Sequence, residues 1–85
     1  MSKHEKLVAK LLRFPSDFTW DELCAVLKRL GFVQKQGSGA RVAFTHSKEP
    51  VHFIHLHEPH NVKPQVVLVV YLRQTVKRLK EWGYL

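Results

Sequence analysis

The chain has little with which to staple, anchor or hydrolyse. It holds one cysteine, Cys24, so an internal disulfide is excluded and a reducing, cytoplasmic setting is expected. Acids are scarce: 7 Asp+Glu stand against 14 Lys+Arg, for a net charge of +7 that six histidines can raise at lower pH. A surface of that sign attracts polyanions, which leaves nucleic acid, an anionic membrane or an acidic protein as candidate partners. Long apolar runs are missing. The longest, VVLVVYL (Val66 to Leu72), is too short to span a bilayer. In the opening MSKHEKLVAKLLRF, Lys10 and Arg13 interrupt the apolar residues and no small-residue cleavage site follows, so no signal peptide is expected. A soluble protein with no membrane association is the expectation. There is no Ser/His/Asp arrangement, no paired-carboxylate pattern and no P-loop; Glu49 and Glu58 are isolated loop acids. Repeats, low-complexity tracts and linkers are absent too, so residues 1–85 form one domain.

What is present is ordinary for a globular fold, with 45% hydrophobic and 25% charged residues. Leu7, Val8, Leu11 and Leu12 recur at helical spacing and predict a short N-terminal helix within residues 1–15, closed by Pro15. The core then occupies residues 16–85. TWDE reads as a capping box, with Thr19 accepting at the helix start and Glu22 reaching back. Behind it Leu23, Leu27 and Leu30 line one face beside Trp20 and Cys24, until Gly31 stops the helix. FVQK, RVAFTH and VHFIHLH predict three strands. In the second, Val42 and Phe44 share one face while Arg41, Ala43 and Thr45 share the other. In the third, Val51 and Phe53 point one way and Ile54 and Leu56 the other, which predicts a bulge or two partly covered faces. QVVLVVY has the β-branched content of a strand, yet Val69, Leu72, Val76, Leu79 and Trp82 continue at helical spacing. One long helix from about Pro64 to Trp82 is expected. The sum is an α+β fold, α-α-β-β-β-α: a three-stranded antiparallel meander with the larger helices on one face and the other face open.

Two stretches could carry chemistry. His52, His55, His57 and His60 cluster, and His46 ends the preceding strand. HLHEPH could supply metal ligands from His55 and His57 with His60 or Glu58, but no cysteine cluster accompanies them. A phosphate-contacting or acid–base role suits a residue that titrates near neutrality; an ordinary basic surface suits them as well. The second stretch is QKQGSGARVAF, where Gly37 and Gly39 permit a tight turn flanked by Lys35 and Arg41. It reads either as a plain hairpin or as backbone N–H groups that hold a phosphate together with Arg41. Arg73, Lys77, Arg78 and Lys80, with Lys35, Arg41, Lys48 and Lys63, are a solvated face or a track for an RNA backbone. Trp20 and Trp82 read as core.

In order and spacing these pieces resemble the HicA-type toxins of bacterial toxin–antitoxin systems. The resemblance rests on a capped helix ending LKRLGF, then GSGARVAF where family members carry Gly-Ser followed by a histidine, then HLHEPHNVKP, then a closing helix ending LKEWGYL. It covers roughly Thr19 to Leu85, and the extra N-terminal helix resembles a longer branch of the family. It implies a double-stranded-RNA-binding-like fold that cleaves mRNA without a metal or other cofactor. It also implies a HicB antitoxin partner that covers the active site, in a hetero-oligomer. The family's catalytic histidine, three residues after the motif glycine, falls on Ala40. The residues expected around RNA and phosphate are Lys35, Ser38, Arg41, His46, His55, His57 and Lys63. Alanine can neither take nor give a proton. A histidine was replaced so that a toxin could be produced, or the branch uses a small residue with catalysis moved to His46, His55 or His57 or absent, or the count shifts by one across the turn. The other function class is a non-catalytic RNA-binding or protein-interaction module on the same fold.

Overall fold

A computed structural model describes residues 2–59 and 63–85. The elements run α1 (Lys3–Leu11), α2 (Trp20–Arg29), β1 (Phe32–Gln36), β2 (Arg41–His46), β3 (Phe53–His57) and α3 (Val69–Glu81). The strands form one antiparallel sheet in the order β1-β2-β3. This is the α-α-β-β-β-α arrangement that the apolar periodicity predicts.

Helix α2 shows how local chemistry sets an element. The Thr19 hydroxyl accepts from Glu22 N at 3.1 Å, and Glu22 Oε1 accepts from Thr19 N at 3.0 Å. The capping box therefore satisfies two donors that a helix start leaves without partners. Lys10 of α1 donates to both Glu22 carboxylate oxygens at 3.1 Å, which ties the first helix to the second. Burial alone pushes the Glu22 carboxyl up. The Thr19 backbone N–H, the Lys10 ammonium and the Thr19 hydroxyl outweigh it and hold the carboxyl below its ordinary range. A carboxyl lowered in the folded state stabilises the fold above its ordinary range, and that contribution fades as pH falls through the lowered value. The pair is partly exposed, so screening limits its worth. Glu22→Gln is expected to cost about 1 kcal/mol in urea unfolding at neutral pH. The difference from the parent should vanish at acid pH; a constant difference would remove the charge from the explanation.

The core gathers on one side of the sheet. Val42, Phe44, Ile54 and Leu56 from the strands meet Phe18, Leu23, Val26 and Leu27 around α2, and Leu72, Val76 and Leu79 of α3, all buried. At the α2 C-terminus Gly31 takes φ +102°, the left-handed region, and turns the chain into β1. His46 packs directly over it.

Two expectations are corrected. Helix α3 begins at Val69 rather than near Pro64, because the residues before it are used elsewhere. Trp20 N donates to Gln65 O and Val67 N donates to Phe18 O, both at 2.8 Å, with a bridge between Thr19 and Val66. The strand-like half of QVVLVVY is thus extended, and Val67 is buried. The pairing partner lies at the other end of the chain, so a local pattern cannot reveal it. The third strand has no bulge either. Its register with β2 runs unbroken from Thr45↔Phe53 to Arg41↔His57. Ile54 and Leu56 face the core while Phe53 and Val51 are simply exposed, at 45% and 74%.

Candidate nucleic-acid interface

Among the described residues, no element covers the face of the sheet away from the core. Alternation along the three strands puts Val33, Lys35, Arg41, Ala43, Thr45, Phe53, His55 and His57 on this side. Across the strands, Lys35 opposes Ala43, which opposes His55; Arg41 opposes His57 directly. Directly opposed side chains in an antiparallel sheet stand about 4.5–5.5 Å apart at Cβ, so the register sets cations and imidazoles side by side. Lys35, Arg41, His55 and His57 are all exposed.

The glycine turn closes one end of this row. Gly37 N donates to Arg41 O at 2.8 Å, Arg41 N to Ser38 O at 3.3 Å, and the Gln36 side-chain amide to Gly39 O at 3.2 Å. Gly39 has φ +63°, a conformation that few side chains accept. A Cβ at Gly37 would stand 3.1 Å from Arg41 O, so the hairpin is drawn tight there. Gly37, Ser38, Arg41, Ala43, His55 and His57 line one groove of about 470 Å³. The turn and the histidine strand, 20 residues apart in sequence at Gly37 and His57, therefore share a single site.

Not every expected residue reaches it. His46 is corrected: it lies on the core face, 9% exposed. Its Nδ1 accepts from Lys48 N and Glu49 N at 3.1 and 3.2 Å, and the opposite nitrogen, Nε2, sits 3.1 Å from Leu30 O. An imidazole accepting twice at Nδ1 carries its proton on Nε2 and donates it to the Leu30 carbonyl. Both nitrogens are committed to the fold. His52 is held through one nitrogen and its ring, with Nδ1 2.7 Å from the Tyr84 hydroxyl and the ring stacked 4.6 Å from Trp82. Lys63 is exposed but does not line the groove. Ala40 sits in the turn, half-buried, and its carbonyl accepts from Glu58 N at 2.9 Å, just beyond His57. Neither Ala40 nor Gly39 offers an acid–base group. His60, a possible third metal ligand by sequence, lies outside the described residues. Among the described residues no group of three or more His, Cys, Asp or Glu side chains is placed to hold a metal ion. Burial pushes the Cys24 thiol up to about 11, which leaves it protonated and unreactive.

One member of the face escapes sequence reading. Phe53 is 45% exposed, with its ring centroid 5.1 Å from that of His55. Its odd-numbered phase with His55 and His57 was the available signal. An exposed aromatic beside cations is the combination on which nucleic-acid bases stack.

Family membership follows from the sequence. A sequence model described as the HicA toxin of bacterial toxin–antitoxin systems matches residues 20–80. The chain belongs to the HicA toxin family. The matched span begins with the first residue of α2 and ends one residue short of the end of α3, so it holds the whole sheet and the groove. Helix α1 lies outside it. No curated protein and no solved structure matches the chain. As a HicA toxin, the protein is one half of a toxin–antitoxin pair. Among the described residues no helix is long and apolar enough to cross a membrane.

Proposed function

We propose that the groove between the glycine turn and β3 binds the backbone of mRNA. In this reading the fold is that of a metal-independent, cytoplasmic mRNA endoribonuclease held in check by a HicB-like antitoxin in a hetero-oligomer. The observation that carries the reading is the convergence of Ser38, Arg41, His55 and His57 on one groove, with Lys35 in the adjoining row. Arg41 and Lys35 attract phosphate and stabilise the charge that builds on phosphorus when a ribose 2′-hydroxyl attacks it. The Ser38 hydroxyl can donate to a phosphate oxygen. The proton of the attacking hydroxyl needs a base, and the turn supplies none at Ala40. Among the described residues, His57, directly across from Arg41, and His55, two residues earlier on the same face, are the imidazoles beside the groove. A non-catalytic RNA-binding role on the same fold is favoured by the empty turn itself.

Binding of a labelled mRNA should fall steeply with salt. Lys35→Gln and Arg41→Gln are each expected to reduce the slope of log K against log salt by about 1, uniformly across RNA sequences. Unchanged slopes in both variants would remove the open face from the RNA interface. Residual cleavage by the parent chain, if it resides in β3, should drop about 10²-fold or more in His57→Ala; cleavage indifferent to both His55→Ala and His57→Ala would place the base elsewhere.

A further inference from the structure

The backbone bonds at the two ends of the β2–β3 ladder fix its phase. Glu58 N donates to Ala40 O at 2.9 Å, and His46 N donates to His52 O at 3.1 Å. In an antiparallel ladder, opposed pairs alternate between exchanging hydrogen bonds and not doing so. With 40/58 and 46/52 bonded, the other bonded pairs are Val42/Leu56 and Phe44/Ile54. Phe53, His55 and His57 consequently turn their N–H and C=O groups away from β2. β3 is the outermost strand, and among the described residues no strand lies on that side.

Exposed edges are commonly blunted by lysine, proline or a bulge. β1, the other edge, carries Lys35, and Lys28 lines the groove beside it. β3, with the sequence FIHLH, has no lysine, no proline and an unbroken register. Beside it runs a narrow groove of about 160 Å³, walled by residues Phe53 to Leu56 and by Gln74, Thr75 and Arg78 of α3. Thr75 is 1% exposed, and its hydroxyl has no hydrogen-bond partner among the described residues, although buried polar groups are rarely left without one. Arg78 stands at this wall with its guanidinium 5.9 Å from the Trp82 ring centroid, and Arg41 opposes His57 at the far end of the strand.

We propose that the β3 edge takes up an extended, acidic segment of a partner protein as a fourth strand. The outward N–H and C=O groups supply a main-chain ladder of the kind used in strand addition. Side chains that alternate toward α3 enter the narrow groove and must be small and apolar. Those on the opposite side stand beside His55, His57 and Arg41, where carboxylates are favoured. The charge decides against self-pairing: a second copy laid edge to edge would bring together two chains of +7 each. This proposal does not depend on RNA cleavage.

The test uses the intact, ¹⁵N-labelled chain and a short synthetic peptide alternating valine and glutamate. Amide exchange at Phe53, His55 and His57 should slow by about tenfold or more on saturation. N-methylation of the peptide residues whose N–H groups face β3 should weaken binding by about tenfold. The methylated peptide leaves the protein unaltered, so lost binding there cannot be a folding defect. Protection at Phe32, Gln34 and Gln36, whose groups face outward on β1, would overturn the proposal. So would equal binding of a valine–lysine peptide, or no protection at all. Slowed exchange at the β3 edge that appears without peptide and tracks a doubled mass in light scattering would assign the edge to a second copy and overturn it too. RNA is absent throughout, so failure here leaves the RNA reading standing.

Discussion

Replacing Ala40 with histidine is expected to raise cleavage of a labelled mRNA by about 10²–10⁴-fold over the parent chain. The expectation follows from what the groove has and lacks. Arg41 and Lys35 already provide positive charge on the open face, and Ser38 already provides a hydroxyl. The turn lacks a group that can hold a proton near neutral pH, and a positioned general base is worth about 3–5 kcal/mol of barrier by that range of rates. Gly39→His is the companion experiment, since a shift of one residue along the turn lands there. A Cβ built on Gly39 meets nothing within 4 Å, and histidine is among the residues that tolerate a left-handed backbone. Whichever variant cleaves fixes the register of the catalytic position. If neither cleaves while both bind RNA as tightly as the parent, the turn is not a catalytic position and the binding-module reading stands. In cells, the cleaving variant should arrest growth unless a HicB-like antitoxin is supplied with it.

The second large effect is on stability. Gly31→Ala is expected to cost about 3–4 kcal/mol, close to the whole stability of a marginal domain. Two separate causes add. An L-residue at φ +102° is strained by about 1–3 kcal/mol. The new Cβ would also lie 2.7 Å from His46 Nε2, pushing the ring off the Leu30 carbonyl and leaving buried polar groups unpaired, for about 1–3 kcal/mol more. A double-mutant cycle separates the two. In the His46→Ala background the steric part disappears, so Gly31→Ala should then cost only the backbone strain. Urea unfolding of the four chains measures it. Fully additive costs would show that the imidazole and the glycine are not coupled.

How much of this could be read beforehand depends on how local each cause is. Helix α2 was legible because Thr19 and Glu22 cap it within one turn and its apolar stripe is regular. β2 was legible because Val42 and Phe44 alternate cleanly with Arg41 and Ala43. The start of α3 was not, because Gln65 and Val67 are bound to Phe18 and Trp20 from the far end of the sequence. His46 looked like its neighbours on β3, and only tertiary packing shows that both of its nitrogens are occupied by backbone. The face shared by His55 and His57 could be read from alternation alone. Their meeting with the glycine turn could not, since it needs the β2–β3 register. Position 40 drew notice through family likeness; by physical chemistry an alanine in a hairpin turn is unremarkable.

The link between the first two helices bears on how this toxin can be shortened. The family match starts at Trp20, which invites trimming everything before it. Yet Leu11 of α1 is wholly buried with the core, Phe18 is too, and Lys10 holds the capping carboxylate of α2. An edge drawn by kinship would pass through the interior of the folding unit. The span shared with the family and the unit that buries this core have different borders, and α1 lies inside the second.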